Sequence, residues 1–387
     1  MTDPNEFPGS DSERMEAAVA RAEQTDRVLR IPRRIKSAPD DREYWLIDRA
    51  VLLPGDFTVI LDGCTVRLSD RCRDNFFRSA NCGEGIEKIE PLKNIRIIGE
   101  NSPVLLGAMH PRATGDSAKT LNVRTYGTDG KVPEEQQTGD WRNIGILFSH
   151  VDGFEISGLT LKDYHCWAIS LEYCSHGKVS DLVFDAAGRG IFDGEPFAIL
   201  NQDGVDLRKG CHHIDIENLS GHSGDDTVAL TAIPPKATRP GGRLGSTEIS
   251  GFDGDLDAAA VHHVNIRKIH SYAAGGHQIV RLLNTGGIKL HDVLIEDVLD
   301  TSEGSGVVDA ATVRIGDRNP AWGGVTPLGD TFNVTVRKVD SRSRYAVLIA
   351  GSLADSVIED IIDRNGENPP VVCTSGEDYL RNVSVKV

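Results

Sequence analysis

From about residue 140 onward the chain repeats one short phrase, in which Val, Ile or Leu alternate with polar residues and Asn, Gly or Asp closes the run. One series covers 154–161, 177–185, 212–221, 262–271, 288–297, 332–341 and 378–387. A second precedes it each time, at 144–149, 167–173, 204–209, 227–232, 278–283, 312–317, 346–351 and 370–375. Period-two alternation is the pattern of a strand with one buried face. Several neighbours of one series start 22 to 26 residues apart, as at 154 and 177, 204 and 227, or 262 and 288. Where the step is wider, the excess falls in Gly-, Pro- and Asp-rich loops such as 234–257 and 317–330. A fixed period with insertions on one side marks a solenoid. Short strands stacked in parallel make it an all-β, right-handed parallel β-helix. A β-sandwich would need more Asn-Gly or Asp-Gly hairpin turns than this chain has.

A solenoid exposes its apolar end and needs a cap. Residues 12–24 supply one, with Met15, Ala18, Val19 and Ala22 on one helical face. No linker marks a second domain, so 1–387 reads as one β-helix. The formal net charge of −16 opposes binding to nucleic acid or an anionic membrane surface, since both attract positive fields. No stretch is long and apolar enough to cross a bilayer. The first residues lack the basic and apolar regions of a secretory signal. Seven scattered cysteines without CxxC spacing read as reduced, packed thiols. The expected location is cytoplasmic, or secreted if a leader has been removed.

Chemistry concentrates where two of the phrases are laid in register on their apolar residues. Val205 then stands over Val228 and Leu207 over Leu230, which sets Asp203 over Asp226 at a rung spacing of about 4.8 Å. Asp225 has the opposite parity and is expected to point away from that pair. Extending the register puts Ile279 over Val228, His277 in the column of Asp203 and Asp226, Val313 over Ile279, and Arg314 outward beside the column of Asp206. Arg281 falls where an apolar residue is due, so the strand bulges there or the arginine turns to the outer face. Crowded carboxylates raise one another's proton affinity, and one carboxylic acid with one carboxylate is the equipment of glycosidic hydrolysis by inversion.

The motif order Asn201-Gln-Asp203-Gly, Gly224-Asp225-Asp226, Gly276-His277 and Arg314-Ile315 resembles the family 28 glycoside hydrolases, the polygalacturonases, over roughly 140–350. The resemblance implies a right-handed β-helix that inverts configuration. Asp225 would be the general acid, and Asp203 and Asp226 would hold and activate water. His277 would tune the acid and Arg314 would grip substrate, with Asn201, Asp206 and Arg281 lining the site. The family carries Arg-Ile-Lys where this chain has Arg314-Ile315-Gly316, and Gly-His-Gly where it has Gly276-His277-Gln278. The missing lysine binds the uronate carboxylate in the family, so the acid–base machinery matches better than the substrate grip. The expected partner is an acidic or modified oligo- or polysaccharide. Loops after Thr231 and Asp317 would wall off one end of a groove, which favours exo action.

Weaker readings stand beside this one. Single aspartates at strand entrances often only cap turns. Adjacent carboxylates also bind Ca2+, which a polysaccharide lyase or epimerase on the same fold would use; the hydrolase reading needs no cofactor and no metal. A non-catalytic carbohydrate-binding β-helix is the third possibility. Trp322, Trp141 and Trp167 are candidate sugar-stacking faces, with Trp322 preferred. His212-His213 and His262-His263 recur at equivalent strand starts and read as turn residues rather than zinc ligands.

Overall fold

The structure is a computed structural model. It describes all residues except 37–39, 71, 73, 84, 87, 110–139, 193–194, 200, 235–247, 304–309 and 321–322, and omits the side chains of 190–192 and 195–198. The chain winds as the right-handed parallel β-helix that its repeats call for. Among the described residues one parallel sheet has fifteen strands, eleven of which stack as a continuous ladder from Val28–Ile31 through His212–Ser223 and Val261–Ala273 to Leu380–Lys386. A second parallel sheet stacks ten, from Val51–Leu53 to Val371–Cys373. Each coil contributes one strand to each sheet, because alternate side chains can then fill a shared interior. Val205, Leu207, Val228, Leu230, Val280, Leu282, Val313 and Ile315 all lie in that interior, which runs without a break from Met15 to Ile361. Burying each such side chain contributes about 1.5–3 kcal/mol.

The corners explain why a turn-rich chain has few hairpin signals. At the entrance to the long strands one residue per coil adopts the left-handed conformation: Asn94, Gly153, His176, His213, His263, Asp292, Asn333, Asp355 and Asn382. Asn, Asp and His tolerate that region better than other non-glycine residues. A single left-handed residue bends the chain without ending its ladder. The ladder then carries on, with His212 pairing with His262 and His262 with His291. This corrects the expected step from 262 to 288, because the turn Thr285–Ile288, with left-handed Gly286 and Gly287, lengthens that coil.

The end of the solenoid is closed by the helix Asp11–Glu23, one residue earlier at each end than expected. Ser10 and Glu13 form a reciprocal capping box at its start. Met15, Ala18, Val19 and Ala22 are buried against the first coils. All seven cysteines are free thiols, six of them buried. No helix among the described residues is long and apolar enough to cross a membrane.

Candidate active site

Four consecutive strands of the ten-stranded sheet carry the site: Val205–Arg208, Val228–Ala232, Val280–Asn284 and Ala311–Ile315. Val205 pairs with Val228 and Leu207 with Leu230, as the alternation predicts. The next two steps differ by one residue. Val280, not Ile279, pairs with Val228, and Val313 pairs with Val280. Ile279 and Val280 are both buried and apolar, so hydrophobicity alone does not choose between the registers. The slip exchanges the faces expected for His277 to Leu283, while Val313 and Arg314 keep theirs, Val313 in the core and Arg314 outward. Arg281 therefore needs no bulge: it pairs level with Ala229 and Arg314, and Ala229 with Asp206. Asp206, Arg281 and Arg314 form one column on the face turned away from the core.

The same slip relocates His277. It stands level with Asp225 rather than in the Asp203/Asp226 column, and its Nδ1 donates to Asp225 Oδ1 across 2.9 Å. Asp225 does not point away from Asp203. Its charge is the largest of those acting on Asp203, ahead of Asp206 and Asp226. Strict alternation fails here because the strands begin only at Val205 and Val228, so Asp203, Asp225 and Asp226 belong to the turns before them. Glycines hold those turns together. A Cβ on Gly224 would lie 2.4 Å from Gln202 Oε1, and one on Gly275 would lie 2.1 Å from the Gly224 carbonyl oxygen.

Four carboxylates thus converge. Asp203, Asp206 and Asp226 are buried, whereas the Asp225 side chain keeps 16% of its exposure. Burial first, and then the neighbouring carboxylates, push the Asp203 carboxyl well above its ordinary range. Burial likewise raises Asp206 well above it, and raises Asp226 against the opposing charge of Arg281. Asp203 Oδ1 and Asp206 Oδ2 are buried without a hydrogen-bond partner. Asp226 is better supplied: its Oδ1 accepts from the Gln278 backbone N–H at 2.8 Å, and its Oδ2 faces Arg281 Nη1 at 3.4 Å. The hydrogen bond to Asp225 is the main cause raising the His277 imidazole above its ordinary value.

Two participants escape sequence reasoning. Asp317 takes Arg281 at 2.8 Å and Arg314 at 3.0 Å, so one buried carboxylate fixes both guanidinium groups. The signal was an Asp three residues after Arg314 across a glycine turn. Gln202 bridges the Tyr164 carbonyl and the Gly188 N–H beneath the acidic turn. Asn201 adopts the left-handed conformation at the start of that turn. Gly316 is left-handed too, and a Cβ on it would lie 2.4 Å from the Gly351 Cα, so the backbone admits no lysine there. Trp322 lies outside the described residues. Trp141 and Trp167 are not free platforms: both are 7% exposed, and guanidinium groups cover them, Arg78 on Trp141 at 5.0 Å and Arg208 on Trp167 at 4.5 Å.

Asp225, Asp226 and His277 each offer a ligand atom within 4.8 Å of the others. Ca2+ takes six to eight oxygens, and Asp226 already serves Gln278 and Arg281.

The fold and the cluster together define a parallel β-helix with an acidic centre on its ten-stranded sheet. Residues 128–236 match the model of glycosyl hydrolases family 28. That stretch carries Asp203, Asp225 and Asp226, while His277 and Arg314 lie beyond it. The resemblance read from the motifs is therefore shown on the coils that hold the carboxylates. No curated protein matches the chain. A tailspike protein mutant of E. coli bacteriophage HK620, in complex with a pentasaccharide, aligns with a TM-score of 0.53 at 13% identity, covering 96% of this chain and 64% of that one. The endo-xylogalacturonan hydrolase of Aspergillus tubingensis aligns at 0.49 and 12% identity over 100% and 91%. The family 28 exopolygalacturonase of Yersinia enterocolitica aligns at 0.49 and 12% identity over 99% and 78%. The chain spans 56% and 64% of the length of two of the tailspike chains, and the likeness to them is one of fold.

Proposed function

We propose that this protein is an inverting glycoside hydrolase acting on an acidic or modified oligo- or polysaccharide. The observation that carries the reading is the inequality among the four carboxylates. Asp203, Asp206 and Asp226 are buried, whereas Asp225 is the most exposed and accepts from His277. In this reading Asp225 protonates the leaving oxygen. Asp226, whose charge Arg281 and the Gln278 N–H support, takes one proton from the attacking water that Asp203 helps to hold. The His277 imidazolium stabilises the negative charge left on Asp225 once its proton has gone. Arg281 and Arg314, clamped by Asp317, present positive charge along the same face, which suits an anionic sugar. Gly316 removes one cation from that face, so recognition of a uronate carboxylate would fall to the two arginines.

The test is direct. Asp225→Asn is expected to lower turnover of a polygalacturonate-type substrate by about 10²–10⁴-fold, the range for loss of one general acid, with an unchanged unfolding midpoint. Proton NMR of the first product formed is expected to show the inverted anomer. Retained configuration, or wild-type turnover in Asp225→Asn, would overturn the assignment.

A further inference from the structure

The chain has twelve histidines, and six of them form a two-by-three array at one corner of the fifteen-stranded sheet. His176, His213 and His263 occupy the left-handed corner position of three successive coils. His212, His262 and His291 occupy the preceding position in a run of coils offset by one. Their rings stack: His213 on His263 at 4.5 Å between centroids, His212 on His262 at 4.9 Å, and His262 on His291 at 5.0 Å.

The corner itself does not require imidazoles. In other coils the same position holds Asn or Asp, tied to its neighbour by side-chain hydrogen bonds such as Asn94 to Asp56 and Asn382 to Asp355. Any of those residues would supply the left-handed bend. What histidine adds here is a set of converging ring nitrogens. His212 and His213 bring their Nδ1 atoms to 2.9 Å, and His262 and His263 bring theirs to 2.8 Å. Two imidazoles bound to one ion at about 2.0–2.1 Å place their nitrogens about 2.8–3.4 Å apart, across angles of about 90–109°. The observed pairs sit at the close end of that range.

We propose that this corner is a binding site for a borderline divalent transition metal such as Zn2+, Ni2+ or Cu2+, with His213, His262 and His263 as its ligands. The ligand atoms of these three all lie within 4.8 Å of one another. Asp292 Oδ2 stands 3.7 Å from His263 Nδ1, a fourth donor of the right charge. His176, His212 and His213 form an overlapping triad of the same tightness. His213 belongs to both triads, so the two seats exclude each other and the array takes one ion. Imidazole ligands select these metals over Mg2+ and Ca2+. A bound ion would bridge two coils, because His213 comes from one and His262 and His263 from the next.

The experiment uses the full chain without an affinity tag, titrated with ZnCl2 by calorimetry and with CuSO4 under electron paramagnetic resonance. One Zn2+ per chain, a higher unfolding midpoint with Zn2+, and nitrogen hyperfine structure on Cu2+ are expected. His213→Asn keeps a residue that accepts the left-handed bend and is expected to weaken binding at least tenfold, with the circular dichroism spectrum unchanged. His262→Gln, away from that bend, is expected to weaken binding less, because His176, His212 and His213 remain. His277→Gln removes the other histidine-containing cluster and is expected to leave binding intact. Absence of stoichiometric binding, binding that survives His213→Asn, or binding lost only in His277→Gln would each overturn the proposal.

Discussion

Two buried clusters of charge meet on the coil that carries the strand Val205–Arg208, and they solve burial in opposite ways. In one, Glu172, Glu248, Arg208 and Lys209 form a balanced set of two acids and two bases. Glu248 accepts from Arg208 through one oxygen and from Lys209 at 2.6 Å through the other. Glu172 accepts the Ile249 and Ser250 backbone N–H groups at 2.9 and 2.7 Å. Every carboxylate oxygen there has a donor, and the cluster pins residues 248–250 over the sheet. In the other, Asp203, Asp206, Asp225 and Asp226 outnumber their cations, and Asp203 Oδ1 and Asp206 Oδ2 have no partner. The first arrangement is what a fold needs to bury charge without loss of stability. The second costs stability, and its open acceptors are what a reaction with a protonated leaving group and a held water requires.

The largest expected effect comes from Asp203→Asn, which should separate the two costs. Turnover is expected to fall by about 10²–10⁴-fold, as for loss of a group that takes part in proton transfer through the held water. The folded protein is expected to become more stable at pH 7. The raised proton affinity of Asp203 sets the sign: its contribution is fully present below the unfolded value near 4 and is lost as pH rises through the higher folded value. Denaturant midpoints should therefore differ at pH 7 and converge below about pH 4. A loss of stability in Asp203→Asn would place it with the saturated cluster instead. Glu248→Ala should behave in the opposite sense. It strands Arg208 and Lys209 in the interior and is expected to cost about 3–5 kcal/mol in chemical denaturation, with turnover per folded molecule nearly unchanged. A midpoint within error of wild type would show that this cluster does not anchor the fold.

His277→Gln comes next in size. His277 is charged below its raised value, so its help to Asp225 is present at mildly acidic pH and fades as pH rises through that value. The variant is expected to lose less than about 10²-fold in turnover, below a full proton-transfer partner, and to lose the alkaline limb of the wild-type pH–rate profile. An unchanged limb would assign it to another group.

The difference between the clusters also marks what could be read from sequence. The coils, the cap helix and the pairing of Val205 with Val228 follow from alternation and repeat spacing, because each apolar residue had only one face to choose. The Asp cluster was legible as a set of residues, since its motifs sit in short glycine turns. Its geometry was not. The run Gln278-Ile279-Val280 offers two apolar residues in sequence, and the backbone bond from Thr227 to Gln278 decided a register that hydrophobicity left open. The same limit hid Asp317, whose part depends on where Arg281 and Arg314 stand after that slip. The Glu172/Glu248 cluster was invisible because it joins residues far apart in sequence that share no motif.

The smallest expected effect concerns Gly316, where motif and backbone disagree. By motif a lysine here would restore the family's grip on a uronate, and Gly316→Lys should tighten substrate binding. The backbone argues otherwise: Gly316 has φ of +75° and faces Gly351, whose Cα would lie 2.4 Å from the new Cβ. The turn after Ala311–Ile315 would have to move, carrying Asp317 and with it the clamp on Arg281 and Arg314. Gly316→Lys is therefore expected to destabilise by about 1–3 kcal/mol, the usual cost of a strained left-handed residue, and to raise KM rather than lower it. Tighter binding of a galacturonate oligomer with an unchanged unfolding midpoint would mean that the turn is pliable, and that the glycine reflects substrate choice rather than packing.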